Sequence, residues 1–148
     1  MNRDIQAWEH IRKYYENWYR LDAIYDRWAQ RYGLRRNSMF VLFFIWQRQR
    51  ACTGKDLAQW MVLPKQTVSS LVQGLEEQGL IRRSVHPDDH RNKLIALTAE
   101  GKRRGDEIFH ALDQAELRAY QSMTPMEQRV LTDSLTRLTD SLEASFSQ

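Results

Sequence analysis

Apolar residues recur in steps of three and four through the opening stretch: Ile5, Trp8, Ile11, Tyr15, Trp18, Leu21, Tyr25, Trp28 and Tyr32. That spacing keeps one stripe on a helix, so residues 4–32 are predicted as a single long amphipathic helix ended by Gly33. The next apolar run, Phe40 through Trp46, has no period and fits a buried strand or a helix buried on all sides. The polar tail Gln47 to Arg50 follows without a turn signal and favours a helix over 39–49, capped by Asn37 or Ser38. Thr53 to Asp56 has capping-box spacing ahead of a short helix ending near Met61. Pro64 suits a first helical turn, and a helix over 65–78 closes at Gly79. Residues 80–86 and 93–97 read as two short strands joined by the turn 87–92. Thr98 is placed to cap a helix over 99–121, and Thr124-Pro125-Met126-Glu127 combines a capping box with a first-turn proline. The last helix carries Leu131, Leu135, Leu138, Leu142 and Phe146 along one seam. The fold class is therefore mainly α with a small β-hairpin.

The length of 148 residues fits one domain, 1–148, able to bury a core without disulfide or metal. Net charge is +3, from 22 Lys and Arg against 19 Asp and Glu, which permits a nucleic-acid partner without requiring one. The single cysteine, Cys52, rules out an internal disulfide. With no signal-like apolar segment at the start, a cytoplasmic location is expected. The run from Met39 to Trp46 is too short to span a bilayer, so no membrane partner is expected. There is no nucleophile elbow or glycine-rich phosphate loop, and His10, His86, His90 and His110 are scattered. No catalytic residue, metal or cofactor is expected, and the chain does not read as an enzyme.

Two short helices separated by Val62-Leu63-Pro64 and followed by a hairpin have the layout of a winged helix-turn-helix. On the second helix Val68, Leu71, Val72 and Leu75 turn inward. Lys65, Gln66, Ser69, Ser70 and Gln73 share an arc of roughly 140° at about 100° per residue. That arc is free of acid until Glu76 and Glu77 in the last turns. Short hydroxyls and amides with one lysine suit phosphates and base edges of double-stranded DNA. An ordinary solvated helix face would have the same composition.

In the hairpin, Ile81 and Val85 are expected to meet Ile95 and Leu97 and hold the wing to the core. Arg82, Arg83, Arg91 and Lys93 outweigh Asp88 and Asp89, with His86 and His90 nearby. Arg83 shares a strand face with Ile81 and Val85, which simple alternation leaves unexplained unless it emerges at the hairpin's edge. Asp89 is expected to pair with an arginine and fix the loop's shape. A guanidinium at such a tip can enter a narrow minor groove, where the negative potential is enhanced.

The run Asp89-His90-Arg91-Asn92-Lys93-Leu94-Ile95-Ala96-Leu97-Thr98, continued by Glu100-Gly101, resembles the D-x-R-x-x-x-hydrophobic-x-L-T signature of the MarR family of bacterial transcription regulators. Upstream, Asp56-Leu57-Ala58, Thr67-Val68-Ser69, Leu71-Val72 and the stretch from Leu75 to Ile81 are similar to that family's helix-turn-helix. The resemblance implies a winged helix-turn-helix over about 37–101. It implies DNA contacts from Lys65, Gln66, Thr67, Ser69, Ser70 and Gln73 in the major groove. Arg82, Arg83, His90, Arg91 and Lys93 would contact DNA from the wing, with Arg91 in the minor groove. His90 and Asn92 depart from the charged residues that many members carry there. Helices within about 1–36 and 105–148 would interlock as a homodimer platform, consistent with more apolar surface than one small module needs. The implied activity is repression of a pseudo-palindromic operator, released by a small aromatic or phenolic effector held by Tyr14, Tyr15, Trp18, Tyr19, Phe40, Phe43 and Phe44. Two alternatives remain at this point. One is a dimeric protein-interaction module that has lost DNA. The other is a redox-sensing regulator in which Arg50 favours the thiolate of Cys52.

Overall fold

A computed structural model describes residues 3–147 of the chain. Its elements are α1 (Arg3–Gln30), α2 (Arg36–Arg48), β1 (Cys52–Thr53), α3 (Gly54–Met61), α4 (Lys65–Glu77), β2 (Ile81–Val85), β3 (Lys93–Leu97), α5 (Ala99–Gln121) and α6 (Pro125–Phe146). They form two compact units, one running to Ile108 and the other beginning at Phe109.

The first unit is organised around α2. Met39, Val41, Leu42, Phe44 and Ile45 are all buried, on every side of the helix, which is why the run has no amphipathic period. Leu57 of α3, Val68, Val72 and Leu75 of α4, and Ile81 and Ile95 of the sheet complete the core. The Tyr25 ring of α1 lies 5.5 Å from that of Phe40. Arg36 reaches Asp22 at 3.0 Å and Asp26 at 3.7 Å. Arg36 lies in the first turn of α2, and the helix begins before the expected caps. Arg35 is the N-cap residue, without a side-chain cap, and Asn37 and Ser38 lie inside the helix. Pro64 likewise stands at the N-cap of α4 rather than in its first turn. Gly33, with φ 71°, takes the left-handed conformation that ends the segment after α1.

The sheet has the antiparallel order β1-β3-β2. Its β1 strand was not expected: it is two residues long, and only its pairing of Cys52 with Ile95 and Thr53 with Leu94 defines it. This corrects the reading of Cys52 as a residue of a polar turn with a favoured thiolate. The side chain is buried, and loss of solvent pushes the thiol up to about 12, with Asp56 adding to the effect and the smaller pulls of Arg48 and Arg50 opposing it. A thiol so held is a poor oxidant sensor. The hairpin register pairs Ile81 with Leu97, Arg83 with Ile95 and Val85 with Lys93. Ile81 and Ile95 therefore anchor the wing, whereas Val85 is 64% exposed and anchors nothing.

The L-T-x-x-G run at the end of β3 ties the start of α5 to the helix-turn-helix. The Thr98 hydroxyl donates to the Gly79 carbonyl at 2.6 Å and accepts from the Gly101 N–H at 2.9 Å. The Thr98 N–H donates to the Leu80 carbonyl at 3.1 Å. One turn on, Trp46 Nε1 donates to Asp106 Oδ1 at 2.8 Å. The Arg104 guanidinium donates to the Tyr32 carbonyl.

In the second unit, Thr124 and Glu127 cap α6 reciprocally, with Pro125 at the first turn. No described residue of α6 is buried: Leu131, Leu135, Leu138, Leu142 and Phe146 all lie open along its seam. Among the described residues, no helix is long and apolar enough to cross a membrane.

Candidate nucleic-acid interface

Helix α4 folds as its pattern demands, with Val68, Val72 and Leu75 buried and Lys65, Gln66, Thr67, Ser69, Ser70 and Gln73 all exposed. Its first turn contains no acid. Two of the polar side chains are partly engaged within the helix. The Ser70 hydroxyl donates to the Gln66 carbonyl at 3.2 Å, and the Gln73 amide donates to Glu77 at 3.2 Å.

The wing tip is shaped by Asp89, through partners other than the arginine side chain expected. Its Oδ1 accepts the Arg91 backbone N–H at 3.0 Å, and its Oδ2 accepts the Asn92 amide at 2.7 Å. The Asn92 N–H also reaches the Asp89 carbonyl at 3.2 Å. These bonds, the backbone donor first, hold the Asp89 carboxyl below the usual carboxylate range. The turn is closed by an aspartate acting on backbone, so the Arg91 guanidinium is not consumed in making it. Asn92, read from the sequence as a loss of charge, is a structural partner of Asp89.

Helix and wing meet across a concavity of about 520 Å³ whose lining includes Lys65 and Ser69 of α4 and Arg83, Arg91, Asn92 and Lys93 of the hairpin. Lys55, in the first turn of α3, lines it too and was missed by the sequence reading. Only tertiary proximity marks that lysine. Arg82 and His90 are exposed on the wing but outside this concavity. The arrangement gathers five cationic side chains, Arg83 among them, from α3, α4 and the hairpin, and such convergence focuses a positive potential towards an anionic partner.

Arg83 departs from its assignment as a free DNA contact. Its Nε and Nη2 each donate at 2.9 Å to the two carboxylate oxygens of Glu76, a bidentate pair joining the end of α4 to β2. The pairing lowers the Glu76 carboxyl and raises the Arg83 guanidinium from their ordinary values. It also explains why an arginine shares a strand face with Ile81.

The aromatic residues assigned to an effector site pack in small groups. Phe44 is core, 5.0 Å from the Trp60 ring with the Arg48 guanidinium 4.5 Å above it. Phe43 packs on Trp46 and Trp60, each at 6.3 Å, while Phe40 faces Tyr25. Tyr14, Tyr15, Trp18 and Tyr19 form a separate ladder on α1, with Tyr15 6.2 Å from Trp18 and 6.3 Å from Tyr19. A cavity of about 400 Å³ lies elsewhere, lined in part by Ile45, Trp46, Arg50, Leu97, Lys102 and Asp106.

Comparison with known proteins agrees with this layout. The MarR family profile matches residues 32–92. The regulator Hpr of Shouchella clausii is 28% identical over 75% of this chain and 56% of its own length. The chain spans 66%, 56%, 44% and 44% of the lengths of the curated relatives it matches. The Staphylococcus aureus MepR–DNA complex superposes with a TM-score of 0.79 at 22% identity, covering 90% of this chain and 97% of that one. A MarR-family transcriptional regulator from Rhodococcus sp. RHA1 is 30% identical over 76% of this chain and 79% of its own, with a TM-score of 0.63. On the family profile, the Rhodococcus match and the winged helix-turn-helix itself, the chain belongs to the MarR family of transcriptional regulators, a family of regulators and not of enzymes.

Proposed function

We propose that the chain is a homodimeric, sequence-specific repressor that binds double-stranded DNA. The observation that carries this is the shared cationic concavity: the acid-free start of α4 and the arginine-bearing wing lie on one side of the first unit. Helix α4 enters the major groove with Lys65, Gln66, Thr67, Ser69, Ser70 and Gln73 towards it, and Arg91 reaches the neighbouring minor groove. MepR, a structural neighbour, is seen in complex with DNA, and ScoC of Bacillus subtilis, a relative, is a DNA-binding transcriptional repressor.

The dimer is supported by the exposed seam of α6 and by Ile5, Trp8, Ile11, Trp18 and Leu21, which lie open on α1. Surface of that kind on a small chain is covered by a second subunit. Two-fold symmetry then sets two half-sites about one helical turn apart. Release by a small effector belongs to the same proposal. The cavity beside Trp46 suits it better than the aromatic residues first named, since about 400 Å³ is within the range of small-molecule sites.

Selection of binding sites from a randomised duplex pool, followed by titration at several salt concentrations, tests the reading. The expected result is an enriched inverted repeat, with affinity falling steeply as salt rises because bound cations displace counterions. A pool without enrichment, or binding indifferent to salt, overturns it and leaves the protein-interaction reading in place.

A further inference from the structure

Glu76 and Arg83 form an ion pair beside the candidate DNA-binding surface, with Lys93 also near enough to act on the Glu76 carboxylate. Arg83 lines the cationic concavity, yet both of its bonded nitrogens point to Glu76. A carboxylate in that position weakens the attraction of the surface for phosphate. At about 100° per residue, Glu76 also shares the arc of Lys65 and Ser69, about three turns beyond the first and about two beyond the second. Its retention of a fork-to-fork contact is best understood mechanically.

We propose that Arg83 is a positioning residue, not a phosphate contact, and that its pairing with Glu76 fixes the wing against α4. The pair joins the last turn of α4 to the middle of β2, directly opposite buried Ile95. Two parallel bonds to a planar guanidinium define orientation as well as distance, which a single point charge does not. Ile81, Ile95 and the pairing of β1 with β3 hold the wing near its root, while Val85 further out is exposed. The latch therefore acts where hydrophobic anchoring ends. What it sets is the separation between Lys65 and Ser69 on one side and Arg91 and Lys93 on the other. A duplex would have to meet both groups at once.

The inference rests on the DNA-binding reading, and the sign of one substitution separates it from the alternative. Glu76→Gln removes a negative charge from a DNA-facing surface. If Arg83 bound phosphate, releasing it from Glu76 would raise affinity, and Arg83→Gln would flatten the salt dependence by about one phosphate contact. If the pair is a latch, Glu76→Gln lowers affinity about five- to tenfold despite the loss of a negative charge. Arg83→Gln then does the same with the salt slope unchanged, and the double variant is no worse than either single one.

Both variants are compared with the wild type by titration of the selected duplex and, without DNA, by amide hydrogen exchange. The latch predicts faster exchange at residues 81–97 in each variant, with exchange in α2 unaltered. Unchanged or tighter DNA binding by Glu76→Gln, or unaltered wing exchange, overturns the proposal. A wild-type protein that selects no duplex refutes the DNA-binding reading instead, and the exchange comparison still decides the latch.

Discussion

Gly101→Ala isolates the junction that secures α5 to the helix-turn-helix. A Cβ at this position would lie 1.8 Å from the Leu80 carbonyl oxygen and 2.8 Å from its carbon. Carbon–oxygen contacts settle near 3.3 Å, so the helix start must retreat by roughly 1.5 Å. Leu80 is buried and its carbonyl is backbone, so the neighbour cannot rotate out of the way. The retreat strains the bonds of Thr98 to the Gly79 and Leu80 carbonyls, now 2.6 and 3.1 Å long. Losing two such bonds costs about 2 kcal/mol, and overpacking adds about 1–3 kcal/mol. Alanine's advantage over glycine in a helix returns about 1 kcal/mol. The net expectation is a loss of about 2–4 kcal/mol, or a fall in Tm of roughly 6–14 °C, at fixed protein concentration. Gly74→Ala is the internal control, because a Cβ there meets nothing within 4 Å inside α4. It should raise stability by about 0.4–1 kcal/mol. Thermal melts by circular dichroism compare the two, and a Gly101→Ala protein as stable as the wild type would refute the close-approach argument.

Four further outcomes follow from the structure. Arg91→Ala should weaken operator binding by about 1–3 kcal/mol if its side chain reads a groove, and unchanged affinity in a titration removes that role. Cys52 should resist alkylation by iodoacetamide at pH 8 in the native state and react on denaturation; rapid native labelling would contradict its burial. Because the folded thiol titrates near 12, above its unfolded value, its stabilising contribution is complete below that unfolded value. It declines as pH rises towards 12, so Cys52→Ala should flatten the alkaline loss of stability in denaturant titrations. Leu135→Glu, which places a charge on the exposed seam of α6, should shift sedimentation from dimer to monomer while leaving far-UV circular dichroism intact. A dimer that persists unaltered would place the subunit contact elsewhere.

Local chemistry made much of the architecture legible. The 3.6-residue period of α1, the capping boxes at Thr53 and Thr124 and the glycine stops at Gly33 and Gly79 act over a few neighbouring residues. The polar face of α4 was likewise visible, because inward-facing Val68, Val72 and Leu75 leave the other positions to solvent. The signature Leu97-Thr98 with Gly101 could be recognised as a pattern, but its cause lies in a carbonyl from another segment.

What the sequence alone left undecided depends on contacts between distant residues. β1 exists only because Cys52 meets Ile95, and that same contact turns an apparently reactive thiol into a core group. Lys55 joins the cationic surface because α3 folds beside the wing, and Arg83 faces Glu76 because a hairpin returns towards the helix before it. The aromatic residues of α1 and α2 look alike in the chain but divide into an exposed ladder and a packed core, according to what covers each. Periodicity reports which side of an element faces inward; the identity of the facing group is set by three-dimensional packing.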